Sequence, residues 1–274
     1  MRYLGVSRAE SFSPNRVSGD TAVFRAVAGE LERRGNEVSL ITEHDLAIKG
    51  IPDGLDGIFQ MARSREALAV LERSDVPVTN TVQAVINCGR ATQTGMLKET
   101  GLIPDSLICR TGVTPDQWHS FPCWVKRADS HAVEQDDVRF VKNDLELSAV
   151  LKGFAVRGIG ECVIQNHAVG WLVKFYGVRG AGLVDCHAAS VREGKFGLER
   201  YNEQPDNAVV DMDALTSAAE RASDILGVDV FGGDAVVGHD GEITIVDFND
   251  WPSFHSCTVG AAQKIAELII DKNR

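Results

Sequence analysis

The stretch Phe231-Gly-Gly-Asp-Ala-Val-Val-Gly-His-Asp-Gly-Glu-Ile-Thr-Ile-Val-Asp-Phe-Asn-Asp-Trp-Pro-Ser-Phe254 constrains this chain more than any other. Two runs rich in β-branched residues flank His239-Asp240-Gly241, and Asp-Gly between such runs is the strongest short-range signal for a two-residue hairpin turn. With Asp240 and Gly241 as the loop, His239 pairs with Glu242 and the register puts Asp234 directly opposite Asp247. Side chains alternate along a strand, so Asp247 and Asn249 share a face beside Asp234. Like charges placed opposite each other destabilise a sheet unless something neutralises them. A hard divalent cation held by carboxylates, an amide oxygen, waters and nucleotide phosphates would do so; the alternative is an exposed hairpin with solvated acids. Phe248, Trp251 and Phe254 around the acids favour a cleft over an open surface.

The rest of the chain narrows the partners. With 274 residues it can bury a sizeable core, and 44% apolar with 24% charged residues describes an ordinary globular protein. A net charge of −11 supplies no basic field for nucleic acid or an anionic membrane. Met1 to Ser7 leads straight into a strand without the apolar core of a signal peptide, and no apolar run reaches transmembrane length, so a cytoplasmic location is expected. The six cysteines are scattered without Cys-x-x-Cys spacing, as for packed, reduced thiols. Neither a Ser-His-Asp nor a Cys-His constellation is evident, and the seven histidines lack metal-ligand spacing.

Residues 1 to 80 alternate strand and helix: Tyr3–Val6, a helix capped near Ser18 or Asp20, Glu37–Thr42, Gly57–Met61, the Ser64–Arg73 helix and Pro77–Asn80. This pattern predicts a small Rossmann-like parallel sheet. No Gly-x-Gly-x-x-Gly follows the first strand, and the loop Ser7–Gly19, with Asn15 and Arg16, occupies the place where open parallel sheets bind ligands. From Ala84 onward the pattern is mixed: helices over Arg90–Thr100, Asp144–Lys152, Asp213–Leu226 and Thr258–Asp271, with strands between them, including Phe121–Lys126, Glu161–Gln165, Trp171–Ala181 and Val184–Ser190.

Four pieces in this order resemble the ATP-grasp superfamily, especially glutathione-synthetase-like and RimK-type carboxylate–amine ligases. They are Asp234 with Asp247-x-Asn249 followed by Pro252, Cys123-Trp-Val-Lys126, Cys162-Val-Ile-Gln-Asn-His-Ala168, and Leu172-Val-Lys-Phe-Tyr-Gly-Val178. The resemblance covers roughly residues 81 to 270. It implies an α/β and α+β architecture, with a pre-ATP-grasp domain at residues 1 to 80. An ATP-grasp domain follows at residues 81 to 274, with nucleotide between two lobes and a hinge near residues 165 to 170. It also implies ATP and Mg²⁺ as cofactors. Asp234, Asp247 and Asn249 would hold the metal, Arg90, Lys126 and Lys174 the phosphates, and the backbone around Gln165, Asn166 and Ala168 the adenine.

The chain departs from the family pattern in three places. Gly89-Arg90-Ala-Thr92 stands where many members have Asp-Lys-x-x-Thr, so Arg90 must take that phosphate contact. The loop 127–137 after Lys126 has no glycine, leaving Ser130 and His131 as its reactive side chains. Ala188 and Ala189 stand where such ligases carry an arginine, leaving Arg192 as a displaced candidate beside Glu193-Gly194. The resemblance implies a ligase joining a small-molecule carboxylate to an amine through an acyl phosphate, with Arg192 and His131 as catalytic candidates. An ATP-grasp small-molecule kinase is the alternative, disfavoured by the lack of a dense Lys/Arg cluster, and a nucleotide-binding regulator without catalysis is a third. Oligomeric state stays open, dimers being common in the resembling families.

Overall fold

The computed structural model describes residues 1–13, 17–128, 134–189, 198–203 and 210–273. Its first unit comprises β1 (Arg2–Ser7), α1 (Val17–Arg33), β2 (Glu37–Thr42), α2 (Glu43–Lys49), β3 (Gly57–Gln60), α3 (Arg65–Leu71) and β4 (Val78–Thr79). The four strands form a parallel sheet in the order β2-β1-β3-β4, as the alternating pattern predicts. Val23, Phe24, Val27, Ala28 and Leu31 form the buried face of α1 at the expected spacing. The cap expected at Ser18 or Asp20 is not there. The helix is already under way at Val17, and the buried Asp20 instead accepts from Ser13 Oγ at 2.6 Å and pairs with Arg8 at 3.2 Å.

A central unit follows: α4 (Val82–Asn87), α5 (Arg90–Leu97), β5 (Ser106–Arg110), β6 (Cys123–Arg127), β7 (Val138–Val141), α6 (Asp144–Val156) and β8 (Glu161–Asn166). Its strands order as β5-β8-β6-β7, all antiparallel. One face of this sheet, with Cys123, Val125 and Ile164, packs on Leu147, Leu151 and Phe154 of α6. The opposite face carries Trp124, Lys126 and Gln165. The α2 and α4 helices escape the sequence reading because six or seven residues show no period. Each starts at a threonine whose hydroxyl accepts a backbone N–H, Thr42 from Asp45 and Thr81 from Ala84.

The last unit holds β9 (Trp171–Val178), β10 (Gly182–Ala188), α7 (Met212–Leu226), β11 (Val230–Val237), β12 (Ile243–Asp250) and α8 (Thr258–Asp271). The antiparallel sheet β10-β9-β11-β12 turns Val173, Phe175, Phe231 and Phe248 onto Leu215, Ala219, Ala222 and Leu226 of α7. Helix α8 returns to pack on α1, so Phe24 and Phe59 share a core with Trp251, Phe254 and Ile265. Together, a parallel sheet and two antiparallel sheets make the mixed α/β architecture expected from the sequence.

The hairpin register differs from its expectation in detail. The loop is three residues, His239–Gly241, closed by Gly238 N–H donating to Glu242 O at 2.9 Å, with Gly241 at φ +86°. That shifts Val237 opposite Ile243. A β-bulge then leaves Val246 unpaired, which restores Asp234 opposite Asp247. The two irregularities cancel at the acids.

Asn80, fully buried at the end of the first unit, ties it to the last sheet. Its Oδ1 accepts from the N–H of Asp229 (2.7 Å) and of Val230 (2.8 Å), and its Nδ2 donates to Val230 O (2.9 Å). Replacing it with an apolar residue strands two buried N–H groups, those of Asp229 and Val230, and leaves Val230 O with only the Trp251 N–H (3.0 Å). We predict that Asn80→Leu lowers the unfolding free energy in urea by about 3 kcal/mol or more.

Candidate functional site

The last sheet lays out its polar side chains as a grid. Residues directly opposite in an antiparallel pair share a face. The register therefore sets His187 (β10), Lys174 (β9), Asp234 (β11) and Asp247 (β12) in one row across all four strands. The next row, two residues along, is Asp185, Tyr176, Gly232 and Asn249. Two residues the other way the face turns apolar, where Leu172 and Val236 pack with Ala189, Ala168 and Val246.

Charge pairing along the first row is tight. Lys174 Nζ lies 2.9 Å from Asp234 Oδ1, and Asn249 Nδ2 donates to Asp247 Oδ2 at 2.8 Å. Across the cleft, β6 brings Lys126, whose ammonium donates to Gln165 Oε1 (2.7 Å) and to the carbonyl of Val246 (2.8 Å), the residue left unpaired by the bulge. Lys126 thus bridges the central and last sheets. Arg90, at the start of α5, donates to Arg127 O at 2.8 Å and reaches within 4.0 Å of Asp247 Oδ1. Although Lys126 as a whole is only half-buried, desolvation of its ammonium lowers its pKa to about 8; Arg90 pushes the same way, opposed by Asp247 and Asp234.

Seven of the residues singled out in the sequence, Arg90, Lys126, Gln165, Lys174, Asp234, Asp247 and Asn249, therefore meet at one cleft between two sheets. At the hinge, the Asn166 N–H goes to Asp105 O and the Ala168 carbonyl accepts from Asn202, so both groups are already engaged; Gln165 serves the cleft through its side chain. The acids lie in a cleft rather than on an open surface, as the three aromatics around them suggested, but those aromatics do not line it. Phe248, Trp251 and Phe254 are fully buried beneath the acids, as a floor belonging to two cores. His131, Ser130 and Arg192 lie outside the described residues, as do Asn15 and Arg16.

The donor set suits a hard cation. Two carboxylates face each other, and an amide borders one of them. Among the described residues no group of three or more His, Cys, Asp or Glu gathers as a metal site. A cation here would depend on Asp234, Asp247, Asn249 and oxygens brought by its ligand, which is how Mg²⁺ is usually held beside phosphates.

Sequence reasoning missed several neighbours. Asp250, next to Asn249, is buried with Oδ1 2.7 Å from Arg63 Nη2, while Oδ2 has no hydrogen-bond partner among the described residues. Arg8 lies beside them, donating to Trp251 O at 3.4 Å; burial and the nearby Arg63 lower its pKa to about 10. Arg8 follows β1, inside the loop Ser7–Gly19 flagged in the sequence, and Arg63 follows β3; these partners are more than 180 residues away. The dyad of Asp185 and His187, 2.9 Å apart, was also missed, because nothing local marks a strand-borne Asp-x-His as functional.

The pKa of Lys126 gives a stability test. The folded protein releases that proton near pH 8 whereas an unfolded lysine keeps it to about 10.4, so unfolding takes up a proton between those values and stability rises with pH. We predict that urea-unfolding free energies of wild type and Lys126→Met, measured from pH 7.5 to 10, shift progressively in favour of wild type. A pH-independent difference would contradict the enclosed cation.

No known family profile matches the sequence. No curated protein matches it either. Solved structures do match over the whole chain. D-alanine–D-alanine ligase from Bacillus anthracis, complexed with ATP, superposes with a TM-score of 0.71 at 16% identity, covering 100% of this chain and 97% of that one. A RimK domain ATP-grasp protein from Sphaerobacter thermophilus gives 0.65 at 16% identity, covering 98% and 100%. The ATP-grasp ligase PsnB, complexed with a phosphomimetic variant of its minimal precursor, Mg and ADP, gives 0.66 at 17% identity, covering 99% and 98%. With these full-length matches, three sheets in the order found and a cleft between the second and third, the chain has the ATP-grasp fold.

Proposed function

We propose that the protein is an ATP- and Mg²⁺-dependent ligase that joins a carboxylate to an amine through an acyl phosphate. The observation that carries this reading is the row Lys174, Asp234 and Asp247 with Asn249 beside it, faced by Lys126 and Arg90 from the opposite sheet. Opposed carboxylates rimmed by three cations suit a metal-bound polyphosphate and little else. Ligands named for the neighbouring structures, ATP in one and Mg with ADP in another, agree with it.

On this reading the apolar patch of Leu172, Val236 and Ala189 near the hinge receives the adenine, and Gln165 with Lys126 lies at its polar border. Lys126, Arg90 and Lys174 hold the phosphate oxygens and stabilise the charge that develops as the γ-phosphoryl group leaves. Asp234, Asp247 and Asn249 would hold Mg²⁺, which would supply neutralisation of the charge on the terminal phosphates. The carboxylate of the first substrate attacks the γ-phosphorus, ADP departs, and the amine displaces phosphate from the acyl carbon. His131 and Arg192, outside the described residues, keep the assignment that the resemblance implies for them, at the reacting phosphoryl and acyl groups. Such chemistry rests on positioning and charge rather than on a covalent side chain.

The test is an ADP-release screen with ATP, Mg²⁺ and mixtures of amino acids and short peptides, run with and without hydroxylamine. Wild type is expected to release ADP and accumulate hydroxamate, while Asp247→Ala loses at least about 100-fold of both. ADP release with a phosphorylated hydroxyl product and no hydroxamate would instead identify a kinase.

A further inference from the structure

Strand β10 carries two groups that this mechanism does not use. His187 and Asp185 face the cleft in the rows of Lys174 and Tyr176. The Nδ1 of His187 lies 2.9 Å from Asp185 Oδ2, and Ser256 Oγ donates to that same oxygen at 2.6 Å. These two donors lower the pKa of Asp185 against the opposing effect of its burial, so it stays a carboxylate. A carboxylate on Nδ1 fixes the proton there and leaves Nε2 as the basic nitrogen. The imidazole remains 26% exposed. The groups facing it are Asp185 on its own strand, Lys174 and Tyr176 on β9, and His255 with Ser256 ahead of α8; the rings of Tyr176 and His255 lie 5.9 and 6.3 Å away.

Position along the sheet gives the dyad its meaning. The grid runs from the apolar patch at Leu172, through the cations and acids at Lys174 and Asp234, to Tyr176 and Asp185. If the base occupies the first and the phosphates the second, whatever reacts with the terminal phosphate lies over the third. His187 stands in the second row and Asp185 in the third, on the edge strand β10, at the opposite side of the sheet from Asp247. An amine nucleophile arrives there as an ammonium ion and must lose a proton before it can attack.

We propose that His187 Nε2 is the general base that takes this proton and that Asp185 is its positioning residue. This rests on the ligase reading. The nitrogen lone pair then forms the C–N bond to the acyl carbon. The C–O bond to the phosphoryl group breaks with its electron pair leaving on phosphate, which carries off the second proton of the amine. His187 returns its proton to solvent for the next cycle.

The test uses full-length wild type, His187→Gln, His187→Arg and Asp185→Asn with ATP, Mg²⁺ and an equimolar mixture of the twenty amino acids. ADP release is read with and without hydroxylamine, a nucleophile already unprotonated at neutral pH. His187→Gln is expected to keep hydroxamate formation within about threefold of wild type and to lose about 100-fold or more of the amine-dependent rate, recovering in part as the pH is raised. Asp185→Asn is expected to lose about tenfold or more of the amine-dependent rate and to keep hydroxamate formation within about threefold of wild type, because the imidazole is no longer held in place. Equal loss of both activities in His187→Gln, or restoration of the amine-dependent rate by His187→Arg, overturns the base and leaves the ligase reading standing. Absence of hydroxamate from wild type overturns both.

Discussion

Two carboxylates standing opposite each other on neighbouring strands, Asp234 and Asp247, are the constraint around which the last sheet is organised. Held that close, they repel, and a sheet tolerates them only where positive charge is supplied. Lys174 comes from the other neighbour of β11, at the same register position, and Arg90 and Lys126 come from the central unit. The bulge at Val246 contributes twice. It brings the acids into opposition, and its unpaired carbonyl receives the ammonium of Lys126. A backbone irregularity thereby links the two sheets that form the cleft.

Below the acids the backbone takes an unusual, closely held course. Trp251 and Phe254 adopt φ of 40° and 46°, a left-handed backbone that residues with a Cβ rarely take, and both side chains are fully buried. Such conformations persist only where the surroundings over-determine them. Here Arg63 holds Asp250 and Arg8 holds the carbonyl of Trp251. Pro252 sits where a side chain at Gly232 would be, since a Cβ there would come within 2.8 Å of it. The segment following the acids is thus fastened to the first unit, and the cleft inherits a fixed floor from the packing of α8 and α1.

Much of this was legible beforehand, for reasons that can be named. The helix Thr258–Asp271 and the strand Glu37–Thr42 stand at the positions read from periodicity, because side-chain period is a local property. Asp-Gly within a β-branched context announced the hairpin, and alternation put Asp247 and Asn249 on one face. The loop length was misjudged by one residue because His239 joins the turn with Gly241 in the left-handed region, and a bulge has no sequence signature in an apolar run such as Ile243–Val246. The cysteines are a parallel case. Cys109 and Cys162 are distant along the chain, yet the pairing of β5 with β8 sets their sulfurs 3.5 Å apart.

From the residues alone came the elements, the presence of opposed acids on a hairpin and the run of basic residues expected to face them, since each depends on spacing within a few residues. Tertiary structure alone decided that Lys126 spans two sheets, that Arg8 and Arg63 reach the turn after β12, and that His187 joins the row of Lys174. Those contacts connect residues up to 243 positions apart. They arise from how sheets stack and strands order, which no local pattern in a single chain encodes.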